Sequence, residues 1–212
     1  GKPLRTIGKP GGRPAIGAYD ANGMILPRGI DIDPKGQLWV CEDDNFPRRI
    51  SVWNAGSGKF IREFVGGTTY GATKGGMIDP KRPHRALSLG VLYEIDLGKE
   101  SYRPLATMWR RQYMDQIYPL LGGIYAGWGH NLGFAEHARQ RYITTRGGGI
   151  AIIGKWNQDE TWQACAAVGG VFNRGDNEQI LPPEKRTWRM GLSPAFFRKH
   201  AGENFVWTDL ND

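Results

Sequence analysis

The sequence predicts an all-β fold assembled from repeated four-stranded units. Three observations carry that expectation. Thirty-one glycines and 13 prolines in 212 residues suit many short strands joined by tight turns better than long helices. Short alternations of apolar and polar residues recur between turn signals. An apolar strand ending in Asp-Pro at 33–34 returns at 79–80, roughly 46 residues on, a spacing typical of repeat architectures.

The elements follow in order. Residues 4–8 (LRTIG) read as the outer strand of a preceding unit, running into a glycine-rich connection at 11–23. The clearest unit spans 24–66. GIDIDP at 29–34 alternates like a half-buried strand, Lys35-Gly36 turns, and QLWVC at 37–41 is rich in β-formers. A polar loop then leads to RISVW at 49–53, and a Gly-Ser-Gly turn leads to KFIREFV at 59–65. The second unit, 75–108, uses GMIDP, RALSL, VLYEIDL and residues 102–108. The third, 129–168, uses HNLGF, RYITT, IAII and residues 162–168. Between them, 109–118 reads as a short helix before Pro119. A partial unit at 190–212 contains MGLS at 190–193 and NFVWT at 204–208 as first and second strands. Four strands in about 40 residues make a β-propeller blade. The chain therefore reads as one incomplete propeller domain over 1–212, with about three full blades and partial blades at both ends.

Composition narrows the function classes. No run of about 18 apolar residues occurs, which excludes a membrane-spanning helix. The first dozen residues hold no apolar block of the kind a secretory signal needs. The net charge of +7 comes from dispersed basic residues outside any nucleic-acid-binding module, so solvated surface is expected rather than a nucleic-acid partner. Cys41 and Cys165 are far apart and form no metal or redox motif, so both are expected to be buried free thiols.

The string GIDIDPKGQLWVCEDDNFPRRISVWNAGSGKFIREFVG at 29–66 resembles the NHL-repeat and gluconolactonase-like propellers. The likeness is good over 24–66, moderate over 75–108 and loose over 129–168. It implies a ring of six blades, of which this chain would be a fragment. It also implies a secreted or periplasmic setting, and for the enzymatic relatives a divalent metal at the axis held by a Glu, two Asn and an Asp. That full ligand set has no counterpart here.

In such a ring, the loops joining second to third strands and the loops joining blades emerge on one face. There they gather Glu42, Asp43, Asp44, Asn45 and Arg48, with Tyr70, Lys74, His130, Asn131, Arg146 and the Trp188-Arg189 pair. Asp43, Asp44 and Asn45 supply the hard oxygens that Ca²⁺ takes, although Asp and Asn favour loops for turn chemistry alone. Arg48, Asn131 and Arg146 complete the expected binding set. His130 is the candidate general base or metal ligand, against the commoner structural histidine. Asp209 and Asn211 stand at the spacing that opens a D-x-N-x-D calcium loop. Gly147-Gly148-Gly149 lacks the lysine and helix of a phosphate loop, and no serine-nucleophile or zinc-peptidase motif is present.

The expected function is a binding module that takes a protein or glycan partner, either the remainder of the propeller or another chain. The alternative is a metal-dependent hydrolase of the gluconolactonase type with Ca²⁺ at the axis.

Overall fold

The computed structural model describes residues 2–44, 46–67, 76–88, 90–109, 132–147, 150–170 and 204–208. Among these residues the chain is all-β, with no helix and none long and apolar enough to cross a membrane. The strands form three antiparallel sheets. A two-residue strand, β1 (Gly17–Ala18), belongs to the second sheet. The first sheet is β2 (Pro27–Ile32), β3 (Gln37–Glu42), β4 (Arg49–Asn54) and β5 (Phe60–Val65), in chain order.

The first sheet follows its residues closely. Asp33 ends β2: its Oδ1 accepts from the amides of Lys35 and Gln37, and its Oδ2 accepts from the Trp39 indole at 3.0 Å. That indole stacks on Phe64, with centroids 5.8 Å apart and planes 9° off parallel. Cross-strand pairing puts Cys41, Ile50 and Phe64 in one row and Trp39, Val52 and Arg62 in the next, all on one face. Trp39 and Phe64 lean together from the two strands flanking β4 and roof over Val52, which is wholly buried on an otherwise open face. The opposite face carries Val40, Ser51 and Trp53 and is covered by the segment 7–24.

The second sheet runs β1, β9 (Ser101–Thr107), β8 (Val91–Asp96), β7 (Arg85–Ser88) and β6 (Gly76–Ile78). Asp79 repeats two bonds of the Asp33 turn. Its amide donates to Arg85 O as Asp33's donates to Gln37 O, and its Oδ1 accepts from Lys81 N as Asp33's accepts from Lys35 N. The third sheet runs β10 (Gly133–His137), β11 (Gln140–Gly147), β12 (Ile150–Trp156), β13 (Trp162–Gly170) and β14 (Asn204–Thr208).

Successive sheets are joined by packed side chains. Phe46, Val91 and Tyr93 form a small core with Val65 between the first and second. Leu87, Leu92, Met108, Trp109, Ile143 and Trp162 anchor a larger one between the second and third. Around that core Glu160 accepts from Arg82 (3.1 Å), Arg85 (2.6 Å) and the Trp156 indole (2.5 Å), while Arg141 lies 4.0 Å over the Trp156 ring. Gly154 lets Trp162 lie flat on β12, since a Cβ there would stand 2.0 Å from the ring.

Several expectations change. Residues 4–8 form no strand; Leu4 is exposed, and the glycines at 8, 11 and 12 turn the chain with positive φ. Gly17–Ala18 instead pairs with Thr107 and Ala106. Asn204–Thr208 does not open a separate unit but pairs with Ala166–Gly170, the end of the long strand β13. Cys41 is an exposed thiol because its row faces solvent, and Cys165 is half-buried with Sγ near Ile153 O. The expected helix beyond Trp109 and the strand at 190–193 lie outside the described residues.

Candidate functional site

The loop from β3 to β4 opens on a depression of about 550 Å³ at the end of the first sheet. Cys41, Ile50, Phe64 and Val65 line it together with the charged residues Asp43 and Arg48, and Glu42, Asp44 and Arg49 also border it. Asp43 and Arg48 are exposed. Ile50 and Phe64 stay open to solvent, unusual for large apolar side chains set side by side. The Gly66 amide donates to Arg48 O at 2.8 Å, which ties the loop's return to the end of β5.

Behind the floor lies a buried charge cluster. Strand alternation turns Glu42 inward, Asp43 outward and Asp44 inward. The Arg13 guanidinium donates to Glu42 Oε2 at 2.5 Å and reaches Asp44 Oδ2 at 3.4 Å. Arg49 donates to Glu42 Oε1 at 2.7 Å, Glu63 Oε2 at 2.6 Å, Gly23 O at 2.8 Å and Ala21 O. Every one of these side chains except Glu63 is at most 1% exposed. The Tyr19 hydroxyl donates to Glu63 at 2.8 Å. Burial pushes that hydroxyl well above the ordinary tyrosine range, against the pull of Arg49 and with the help of Glu63. Charges so deeply desolvated persist only when paired and hydrogen-bonded, as here.

The predicted binding residues therefore divide. Asp43, Asp44 and Arg48 meet at the depression, but Asp44 faces Arg13 and Asp43 pairs with Arg28 at 3.1 Å. A cation arriving at Asp44 would have to displace a guanidinium. No group of three or more metal-ligating side chains stands together among the described residues. Arg146 lies in β11, while Asn45, Tyr70, Lys74, His130, Asn131, Trp188, Arg189, Asp209 and Asn211 lie outside the described residues. Sequence reasoning missed Arg13, Tyr19, Arg49 and Glu63. Their spacing carries no periodic signal; the one available hint was the run of three acids at 42–44 ahead of the Arg48-Arg49 pair.

A second depression, about 630 Å³, lies against Ile78, Pro83, His84, Ile95 and Leu97. Its acids are engaged, Glu94 by Arg103 and Asp96 by Lys99. It contains none of the predicted site residues. No family model, no curated protein and no solved structure matches this chain.

Proposed function

We propose that this chain is a run of propeller-type blades that works as a protein-binding module and takes its partner at the β3–β4 end of the first sheet. The observation that carries the reading is the depression itself, where an apolar floor at Ile50 and Phe64 lies open between two charges of opposite sign, Asp43 and Arg48. An apolar centre with a charged rim is the usual anatomy of a protein interface: the centre supplies desolvation and the rim supplies orientation.

Three antiparallel sheets built mainly from consecutive strands, each stacked on the next through a side-chain core, support the blade reading. The resemblance of 29–66 to NHL-repeat and gluconolactonase-like propellers agrees with it, and a secreted or periplasmic setting is part of the same proposal. In this reading the partner is the remainder of the ring or another chain. A glycan fits less well, because sugar hydroxyls need free polar partners and Asp43 and Asp44 already have arginines. The metal-dependent hydrolase draws no support from the described residues, since Glu42 and Asp44 are held by Arg13.

Photo-crosslinking in the cells that make the protein tests the proposal. A crosslinking residue at position 64 or 50 is expected to capture one and the same protein, and one at position 97, beside the second depression, is expected not to. Equal capture from all three positions, or none from 64 and 50, would refute it.

A further inference from the structure

We propose that residues 9–24 form a clasp that shapes this binding depression through Arg13, a positioning residue, and that clasp docking and partner binding are coupled. The inference rests on the depression being the binding site.

The clasp is a compact unit folded on itself. The Lys9 amide donates to Asn22 O at 2.7 Å, and the two arms cross so closely that a Cβ on Gly23 would lie 2.2 Å from Arg13 N. Only glycine permits that crossing. The crossing delivers the Arg13 fork to Glu42 and Asp44, two residues apart on the site loop. A planar guanidinium bridging both carboxylates fixes their spacing and direction, which a lysine ammonium does not do. With 42 and 44 held inward, Asp43 is left facing Arg28 on the rim. Glu42 Oε2 also accepts from Ile25 N at 2.9 Å, so the clasp's exit is fastened at the same carboxylate.

The clasp also reaches the second sheet. Gly17 and Ala18 pair with Thr107 and Ala106, and the Tyr19 amide donates to Leu105 O at 2.9 Å. The clasp therefore links the second sheet to Glu42 and Asp44. By linkage, whatever seats in the depression and stabilises the loop must tighten the clasp to the same degree.

Amide hydrogen exchange on the full chain tests this. Arg13→Met is expected to speed exchange at 21–23 and 42–44 by roughly tenfold or more, while amides of 151–156 in the third sheet keep their wild-type rates. Arg13→Lys, which keeps the charge and loses the fork, is expected to give a rise of about threefold at the same amides. It carries the test if Arg13→Met unfolds everywhere. In the wild type, the partner captured at position 64 is expected to slow exchange at Lys9, Tyr19 and Gly23. Unchanged exchange at 42–44 in both variants overturns the clasp. Faster exchange with undiminished crosslinking at position 64 overturns the coupling. Faster exchange in a protein that captures nothing at 64 or 50 overturns the binding site and supports the clasp's hold on the loop.

Discussion

Replacing Arg49 by methionine tests the energetic core of the first sheet. The guanidinium, fully buried, is the common donor to Glu42, Glu63, Ala21 O and Gly23 O. Methionine preserves much of the volume and leaves two carboxylates and two carbonyls short of a partner. Removing one member of a buried, hydrogen-bonded ion pair costs about 3–5 kcal/mol, because the remaining charge stays desolvated. With a urea dependence of about 2 kcal/mol per molar for a chain of this size, the unfolding midpoint should fall by about 1.5–2.5 M. Tryptophan fluorescence reads the transition, since Trp39 and Trp53 both sit in this sheet. Arg28→Met is the control: its pair with Asp43 is 72% and 62% exposed, and such pairs contribute less than about 1 kcal/mol. Adding Glu63→Gln to Arg49→Met should restore part of the loss, because Glu63 loses its pair with Arg49 whereas Glu42 keeps Arg13. If Arg49→Met shifts the midpoint no further than Arg28→Met, the buried cluster does not hold this sheet together.

Three further outcomes follow from the geometry. Gly154→Ala places a methyl 2.0 Å from a Trp162 ring pinned by its bond to Ile143 O; it should cost about 3 kcal/mol and lower the thermal midpoint by roughly 6–12 °C, and a fall under about 2 °C would contradict the packing. Phe64→Ala removes the roof over Val52 and should cost about 1–2 kcal/mol while red-shifting Trp39 emission; unchanged emission would mean the stack is absent in solution. Tyr19 gives an alkaline dependence. Its folded hydroxyl keeps a proton that the unfolded chain loses near pH 10, so its stabilisation is complete below that pH and falls as pH rises above it. Tyr19→Phe should flatten the loss between pH 9.5 and 11.5, leaving the share due to Tyr93, which burial also raises; an unaltered slope would place Tyr19 in solvent.

Most strands were legible because each is a local pattern closed by a local turn. Asp33 and Asp79 show why: the same residue accepts the same amide two positions on and donates to the same kind of strand entry, so recurrence in sequence became recurrence in hydrogen bonds. The N-terminal clasp was illegible for the opposite reason. A glycine- and proline-rich segment has no apolar period, and its structure is dictated by partners distant in sequence, from Glu42, Asp44, Arg49 and Glu63 in the first sheet to Ala106 and Thr107 in the second. The pairing of Asn204–Thr208 with β13 was hidden similarly, since edge pairing depends on how far the neighbouring strand extends and not on the pairing strand's own residues.

The acids at 42–44 show where sequence reading of a site goes astray. Asp43, Asp44 and Asn45 look like one oxygen-rich feature, and a hard cation is the natural ligand to imagine for them. The structure separates Asp43 from Asp44, because side chains alternate past the end of β3 and the two carboxylates meet different arginines. Glu42 and Asp44 go to the interior, where two arginines supply the positive charge, and Asp43 alone goes to the surface. The same run of residues thus both anchors the clasp and edges the depression. Arg48 and Arg49 repeat the division, one exposed at the rim and its neighbour buried in the cluster. Substitutions at 43 and 48 should consequently alter recognition while leaving the fold intact, and those at 42, 44 and 49, which border the depression from the buried cluster, should weaken the fold as well.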